Sequence, residues 1–278
     1  MWDVAAAVAE VAWAHEAGLR GVNFPAMRDG ELPEYNDAQW EPLWAACEER
    51  QMPLVTHIGG GSKANYSGPE KVALIQFESG YMSRRAIWWL IFAGVFERHP
   101  GLKLVVTETP GNWYPSTAVE LDAIHAYYTD RDTPLNPEFI ERAPRRPSEY
   151  MKSNVFFGAS FASPFEVEQA ILHGIDTQLL WGSDYPHLEG TFVYPDGRDM
   201  PSVTRLALRN TFSGVPAAAV RRMAGQNAIN VYNLDAAALQ AIANDIGAPT
   251  SPDLATPIDA IPTGASRSAF RSGRGGWT

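Results

Sequence analysis

Helices and strands alternate along this chain, which predicts an α/β fold built on a parallel sheet with helical crossovers. The strand segments are apolar on consecutive residues, as expected where helices cover both faces of a sheet. Several strands end in a polar residue: His57, Glu108, Ser160 and Asp184. A barrel gathers its strand C-termini on one face, whereas an open sheet binds ligands at a switch point. Four polar endings from four strands favour a TIM-type (β/α)8 barrel.

The opening segment, about 3–17, reads as an amphipathic helix, followed by a short strand at GVNF (21–24). Asn36 or Asp37 can cap the next helix, where Trp40, Leu43, Trp44 and Cys47 recur at helical spacing. MPLVTH (52–57) is the second strand, and the Gly-, Ser- and Asn-rich stretch 59–69 is a loop. A long helix over about 80–98 leads to the strand LKLVVTE (102–108) and a helix over about 115–128. The proline-rich stretch 131–150 reads as loop. VFFGAS (155–160) and TQLLWG (177–182) are two further strands, joined by the helix FEVEQAILHG. The final helices are expected over about 201–212, 216–223 and 226–232. These are five strands, and a closed barrel needs three more. Residues 1–235 are therefore expected to form either a smaller open fold or a barrel domain that is incomplete on its N-terminal side. Residues 236–278, rich in Pro, Ser, Gly and Ala, are expected to be a disordered tail.

Composition excludes some classes of function. Of the 278 residues, 45% are hydrophobic and 19% charged, which is ordinary for a globular chain. A net charge of −10 argues against nucleic acid or an anionic membrane as partner, since both select basic surfaces. The longest apolar run, AIWWLIFAGVF (86–96), is about half the ~20 residues that a bilayer span requires. The one cysteine, Cys47, permits no intrachain disulfide, and no signal peptide is evident, so a cytoplasmic location is expected. A glycine-rich dinucleotide motif after a strand is absent. The expected partner is a small-molecule substrate, and a homodimer is compatible with the sequence.

His57 ends an apolar strand and precedes IGGGS, where glycines let a ligand approach. A metal or catalytic role stands there beside a plain histidine bonded to a loop carbonyl. Asp184 lies in WGSDYPHLEG, where turn capping is the competing explanation. Paired with His57 it offers nitrogen and oxygen donors suited to Zn²⁺ or, less specifically, Mn²⁺. Glu108 ends the VVTE strand and reads as a general acid/base, a partner for a positive group, or an outer support. His187 reads as orienting Asp184, meeting substrate, or occupying a turn. Trp113 and Tyr114 follow the Glu108 strand and are candidates to wall a pocket for a flat substrate. His99 and His173 close helices, where the helix dipole suffices to explain them.

The segments PLVTHIGGG, GVFERHPGLKLVVTETPGNWYP, RRPSEYMKSNVFF, LLWGSDYPHLEGT and GQNAINVYNLD occur in this order. Together, over about residues 1–235, they resemble the amidohydrolase-related family within the amidohydrolase superfamily. The similar branch holds aminocarboxymuconate-semialdehyde decarboxylase and related aromatic-acid decarboxylases. The resemblance implies a metal-dependent (β/α)8 barrel with a divalent metal, often zinc. In that family the metal is held by a His-x-His pair on strand 1, a histidine on strand 5 and an aspartate on strand 8. His57 matches the strand 5 ligand and Asp184 the strand 8 ligand, so the five strands here correspond to strands 4 to 8. No His-x-His is present, and the histidines stand at 15, 57, 99, 125, 173 and 187. Glu108 stands where the best-known decarboxylases carry histidine.

The resemblance implies non-oxidative decarboxylation of a small carboxylated, aromatic or cyclic substrate, with Asp184, Glu108 and His187 catalytic. Hydrolysis of a C–N, ester or lactone bond is the alternative. A fragment made inactive by loss of the His-x-His ligands, and a binding protein with a relict pocket, stand behind these two. Zinc is expected to bind the 278-residue chain weakly.

Overall fold

The computed structural model describes residues 3–24, 33–58, 67–109, 111–129, 137–160, 162–187, 202–261 and 269–270. The chain divides into two units, one of residues 1–109 and 113–156, the other of residues 110–112 and 157–278.

In the first unit, α1 (Val4–Glu16) starts on the Asp3 carboxylate, which accepts from the Ala6 N–H at 3.1 Å. β1 (Val22–Asn23) follows, then α2 (Glu41–Glu49), β2 (Leu54–His57) and α3 (Lys71–Phe92). Gly94, with φ +69°, breaks what the sequence reads as one helix. A Cβ there would lie 2.3 Å from the Arg142 carbonyl oxygen, so only glycine fits the break. The chain then forms α4 (Val95–Arg98), β3 (Leu104–Thr107), α5 (Tyr114–Thr129), α6 (Pro137–Arg142) and α7 (Pro147–Asn154).

β1 pairs in parallel with β2, and β2 with β3, in the register Val22 to Leu54 to Leu104 and His57 to Thr107. This register sets the C-terminal ends of β2 and β3 side by side. Leu54, Leu104, Val105 and Val106 are buried, as are Leu43 and Trp44 of α2 and Ile87, Leu90 and Ile91 of α3, and α3 packs on β2 and β3. Each such side chain contributes roughly 1.5–3 kcal/mol by leaving water. Asn154 closes α7 and donates from Nδ2 to the carbonyls of Pro100 and Leu102, at 3.0 and 2.8 Å, ahead of β3.

In the second unit, β4 (Val155–Ser160) enters from the first and pairs in parallel with β5 (Leu179–Gly182), Phe157 opposite Leu179. The crossover α8 (Pro164–Leu172) is started by a capping box of Ser163 and Glu166. Glu166 is buried, and its other oxygen accepts from the Gly111 N–H at 2.9 Å. Gly111 packs flat on Phe157, where a Cβ would lie 2.3 Å from the ring. α9 (Val203–Phe212) and α10 (Ala217–Arg221) follow, and one π-helical stretch, Arg222–Gln226, joins α10 to α11 (Asn227–Val231). Asn227, in the GQNAIN motif, donates to the carbonyls of Asp176 and Leu179, both at 2.8 Å, and so ties α11 to β5.

Three expectations differ from the structure. The long helix begins at Lys71, about nine residues ahead of its expected start near 80 and directly after the expected loop. The proline-rich stretch is largely helical where described, because Pro147 occupies the first turn of α7, where proline's fixed φ suits the helix. The tail is not disordered over its described residues: α12 (Ala236–Asp245) and α13 (Ser251–Leu254) form there. Asp235 caps α12 and a Thr250–Asp253 box caps α13, and Ala269 and Phe270 bury against Val203, Leu206 and Ala207. Composition hid these local caps and the one aromatic anchor. Residues 59–66 of the glycine-rich loop and residues 188–201 lie outside the described residues.

Candidate functional site

In the first unit the sequence-predicted residues His57 and Glu108 come together at adjacent strand ends. His57 is the last residue of β2 and Glu108 follows β3 directly, and His57 Nε2 is 3.2 Å from Glu108 Oε2. The other ring nitrogen, Nδ1, lies 2.7 Å from the Ile58 carbonyl oxygen. Since a carbonyl only accepts, Nδ1 carries the proton and donates to it. Nε2 then faces a carboxylate, and that gap is satisfied either by a second proton on the ring or by a bound cation. A ligating histidine has this arrangement, its outer nitrogen donating to the backbone so that the inner one keeps its lone pair. The imidazole is half exposed (55%) and the Glu108 carboxylate is 23% exposed.

The second unit repeats the theme. Asp184 lies two residues beyond β5, and its Oδ2 is 3.1 Å from Nδ1 of His187. The His187 N–H donates to the Asp184 carbonyl at 2.7 Å, which makes the segment a tight turn and fixes the pair locally. The segment is therefore a turn, and it brings a carboxylate and an imidazole together. The Tyr185–Pro186 peptide within it is cis.

Glu108 and Asp184 share a backbone feature. Their φ values are +56° and +50°, the left-handed region that side chains other than glycine, Asn and Asp seldom adopt. Such conformations cost of order 1 kcal/mol or more and gather where a side chain must be aimed.

Trp113 and Tyr114 stand at the start of α5, both buried, with ring centroids 5.6 Å apart. Burial holds the Tyr114 hydroxyl far above the usual phenol range, so it stays protonated. Sequence reasoning passed over Arg84, whose guanidinium lies over the Trp113 ring at 5.2 Å from its centroid. The charged pair SRR directly before the apolar run AIWWLIF is the signal.

His99 differs from its expected account. It is buried (8% exposed), with Nδ1 2.8 Å from Glu48 Oε2 and Nε2 2.8 Å from Glu41 Oε1. Two carboxylates, not a helix dipole alone, hold it. The Arg98 guanidinium beside Glu41 also draws that carboxyl down from 4.5 to about 2, with His99 adding to the effect against the opposing pull of burial.

The amidohydrolase family model matches residues 1–234. The chain belongs to the amidohydrolase family. Among solved structures it resembles 5-carboxyvanillate decarboxylase from Sphingomonas paucimobilis, with TM-score 0.59 and 22% identity over 84% of this chain and 64% of that one. An amidohydrolase from Mycobacterium avium subsp. paratuberculosis matches at TM-score 0.62 and 22% identity, over 83% of this chain and 56% of that one. A dihydroxybenzoic acid decarboxylase from Polaromonas, solved with manganese and 2-nitroresorcinol, matches at TM-score 0.60 and 18% identity, over 84% and 67%. The chain thus spans less than two thirds of the length of the first two. No curated protein matches it. The parallel α/β architecture of five strands is the amidohydrolase type that these likenesses share. Among the described residues, no helix of this amidohydrolase is long and apolar enough to cross a membrane.

Proposed function

We propose that this amidohydrolase is a metal-dependent carboxy-lyase acting on a small aromatic acid. The observation that carries the reading is the His57–Glu108 pair at adjacent strand ends, a nitrogen lone pair and a carboxylate turned on one gap 3.2 Å wide. The His57 nitrogen of that pair fits a divalent cation, as does the backbone anchor on its outer nitrogen, and Glu108 stands beside it to meet a substrate oxygen. Membership of the family and the likeness to two decarboxylases support the choice of reaction.

In this reading His57 and Asp184 are the ligands, by correspondence with the family's strand 5 and strand 8 positions. The metal is zinc or manganese. When bound, it polarises substrate oxygens and stabilises negative charge developing on them. Asp184 carries the proton delivered to the ring carbon that bears the carboxylate. The C–C bond then breaks, its electron pair stays with the ring, and CO₂ leaves. His187, 3.1 Å from Asp184, orients that carboxylate and shares its proton. Glu108 aligns the substrate oxygen or the proton acceptor on its side. Trp113 and Tyr114 shape the apolar wall after β3.

Hydrolysis is the second reading, favoured by Glu108 where the best-known decarboxylases carry histidine. A panel of hydroxybenzoates and lactones, assayed with manganese or zinc, separates the two. CO₂ release from a hydroxybenzoate, reduced at least about 100-fold in Asp184→Asn, is the expected result. Ring opening of a lactone without CO₂ release from any acid would replace lyase by hydrolase. No turnover in any arm, with metal bound, would leave the inactive alternative standing.

A further inference from the structure

Arg84 is placed at the same strand ends as the His57–Glu108 pair and belongs to none of the ion pairs described. Its neighbour Ser83 reaches Thr109, the residue after Glu108, with Oγ 3.4 Å from Oγ1. The Arg84 guanidinium carbon sits 5.6 Å from the Tyr81 ring centroid and 5.2 Å from that of Trp113. Both distances allow cation–π attraction. Its Nε donates to the Gly80 carbonyl at 3.0 Å, which locks the side chain against its own helix. The two terminal nitrogens remain as a fork of four N–H donors. Among the described residues, no carboxylate lies within ion-pair distance of that fork. Arg98, Arg145 and Arg222, by contrast, meet Glu41, Glu97 and Asp176.

A chain of net charge −10 has acidic groups to spare, yet this half-buried cation is held by rings and not by an acid. Burial also draws its pKa below the usual guanidinium value, a sign that water has been partly removed from the charge. A desolvated, pre-aimed guanidinium fork is complementary to a carboxylate, which it grips through two parallel hydrogen bonds. The Trp113 face beside it suits a flat apolar body carrying that carboxylate.

We propose that Arg84 is a specificity-determining residue that binds a carboxylate of a planar aromatic acid at the β3 strand end. This rests on the proposed function for its choice of site, and it names the substituent that the site reads. Arg84 is not assigned a part in bond breaking.

The test uses the chain stripped of metal by a chelator, so that binding is read without turnover. Benzoate, benzamide and inorganic phosphate are titrated by equilibrium dialysis and ligand-observed NMR. Benzoate is expected to bind about tenfold or more tightly than benzamide, the size of one charge-assisted contact. Arg84→Met should abolish that preference and Arg84→Lys should keep part of it, because the charge survives without the fork. Arg84→Gln replaces Arg84→Met, with the same criterion, should the latter not fold. Equal binding of benzoate and benzamide, a preference that persists without the arginine, or displacement of benzoate by stoichiometric phosphate would each overturn the proposal. Absence of CO₂ release in the activity panel would sink the proposed reaction while leaving the Arg84 result intact.

Discussion

Two histidines of the first unit, His57 and His99, both face glutamates at hydrogen-bond distance, yet they sit in opposite surroundings. His99 is closed in, each ring nitrogen 2.8 Å from its own carboxylate, and Glu48 also accepts from the Gly101 N–H at 2.7 Å. Every donor and acceptor in that cluster has its match inside the protein. His57 is half exposed, anchored by one nitrogen to its own backbone, and its other nitrogen meets a single carboxylate on a residue in left-handed conformation. The difference teaches that residue type and spacing do not separate a structural histidine from a reactive one. What differs between the two is whether the imidazole is enclosed with its carboxylates or half exposed beside one.

The contrast is broken most sharply by removing each imidazole in turn. His99→Ala empties a buried position and takes one partner from each of two partly buried carboxylates, and it should cost about 2–4 kcal/mol in urea unfolding. His57→Ala, at a half-exposed site, should change stability by less than about 1 kcal/mol. Comparable losses for the two would erase the distinction. Gly111→Ala, which drives a Cβ into the Phe157 ring, is a control of the packing kind and should cost about 1–3 kcal/mol. A tolerated Gly111→Ala would mean that Phe157 moves freely.

A smaller effect lies in the acid limb of stability. Glu41 titrates near 2 in the folded chain against an ordinary 4.5, chiefly because Arg98 donates to it. A depressed carboxyl contributes stability above the unfolded value, so this contribution is full above about pH 4.5 and fades as pH falls toward 2. The carboxylate is 38% exposed, so screening makes the effect modest. Urea midpoints across that range should fall less steeply in Glu41→Gln than in the parent, and an unchanged slope would remove Glu41 from the cluster's stabilising role. Smallest is the behaviour of Cys47, which is fully buried and whose thiol burial pushes up to about 12. It should react with a thiol-specific disulfide reagent at neutral pH far more slowly than an unfolded control. Equal rates would place the α2 face in solvent.

Much of the architecture was legible because it is written in repeating patterns. Consecutive apolar residues marked the strands at 54–57, 104–107 and 179–182, and the polar residues at or just beyond their ends marked the candidate site. The sequence pairs His57 with Asp184; the β2–β3 register instead sets His57 beside Glu108, and Asp184 meets His187 through its own turn. Other features were hidden because they depend on single local interactions. Gly94 splits a helix that periodicity reads as continuous, since its left-handed φ answers to the Arg142 carbonyl far along the chain. The tail's helices rest on caps at Asp235 and Thr250 and on burial of Phe270, against a composition that suggests disorder. His99 was misread because Glu41 and Glu48 lie more than fifty residues upstream, beyond any local pattern.

The central claim is that the strand-end histidine, and not the enclosed one, serves a divalent metal. Manganese binding followed by electron paramagnetic resonance, on the parent chain and on His57→Ala and His99→Ala under conditions where each is folded, tests it directly. The account predicts affinity at least about tenfold weaker in His57→Ala and unchanged in His99→Ala. Equal affinity in the parent and His57→Ala would contradict it.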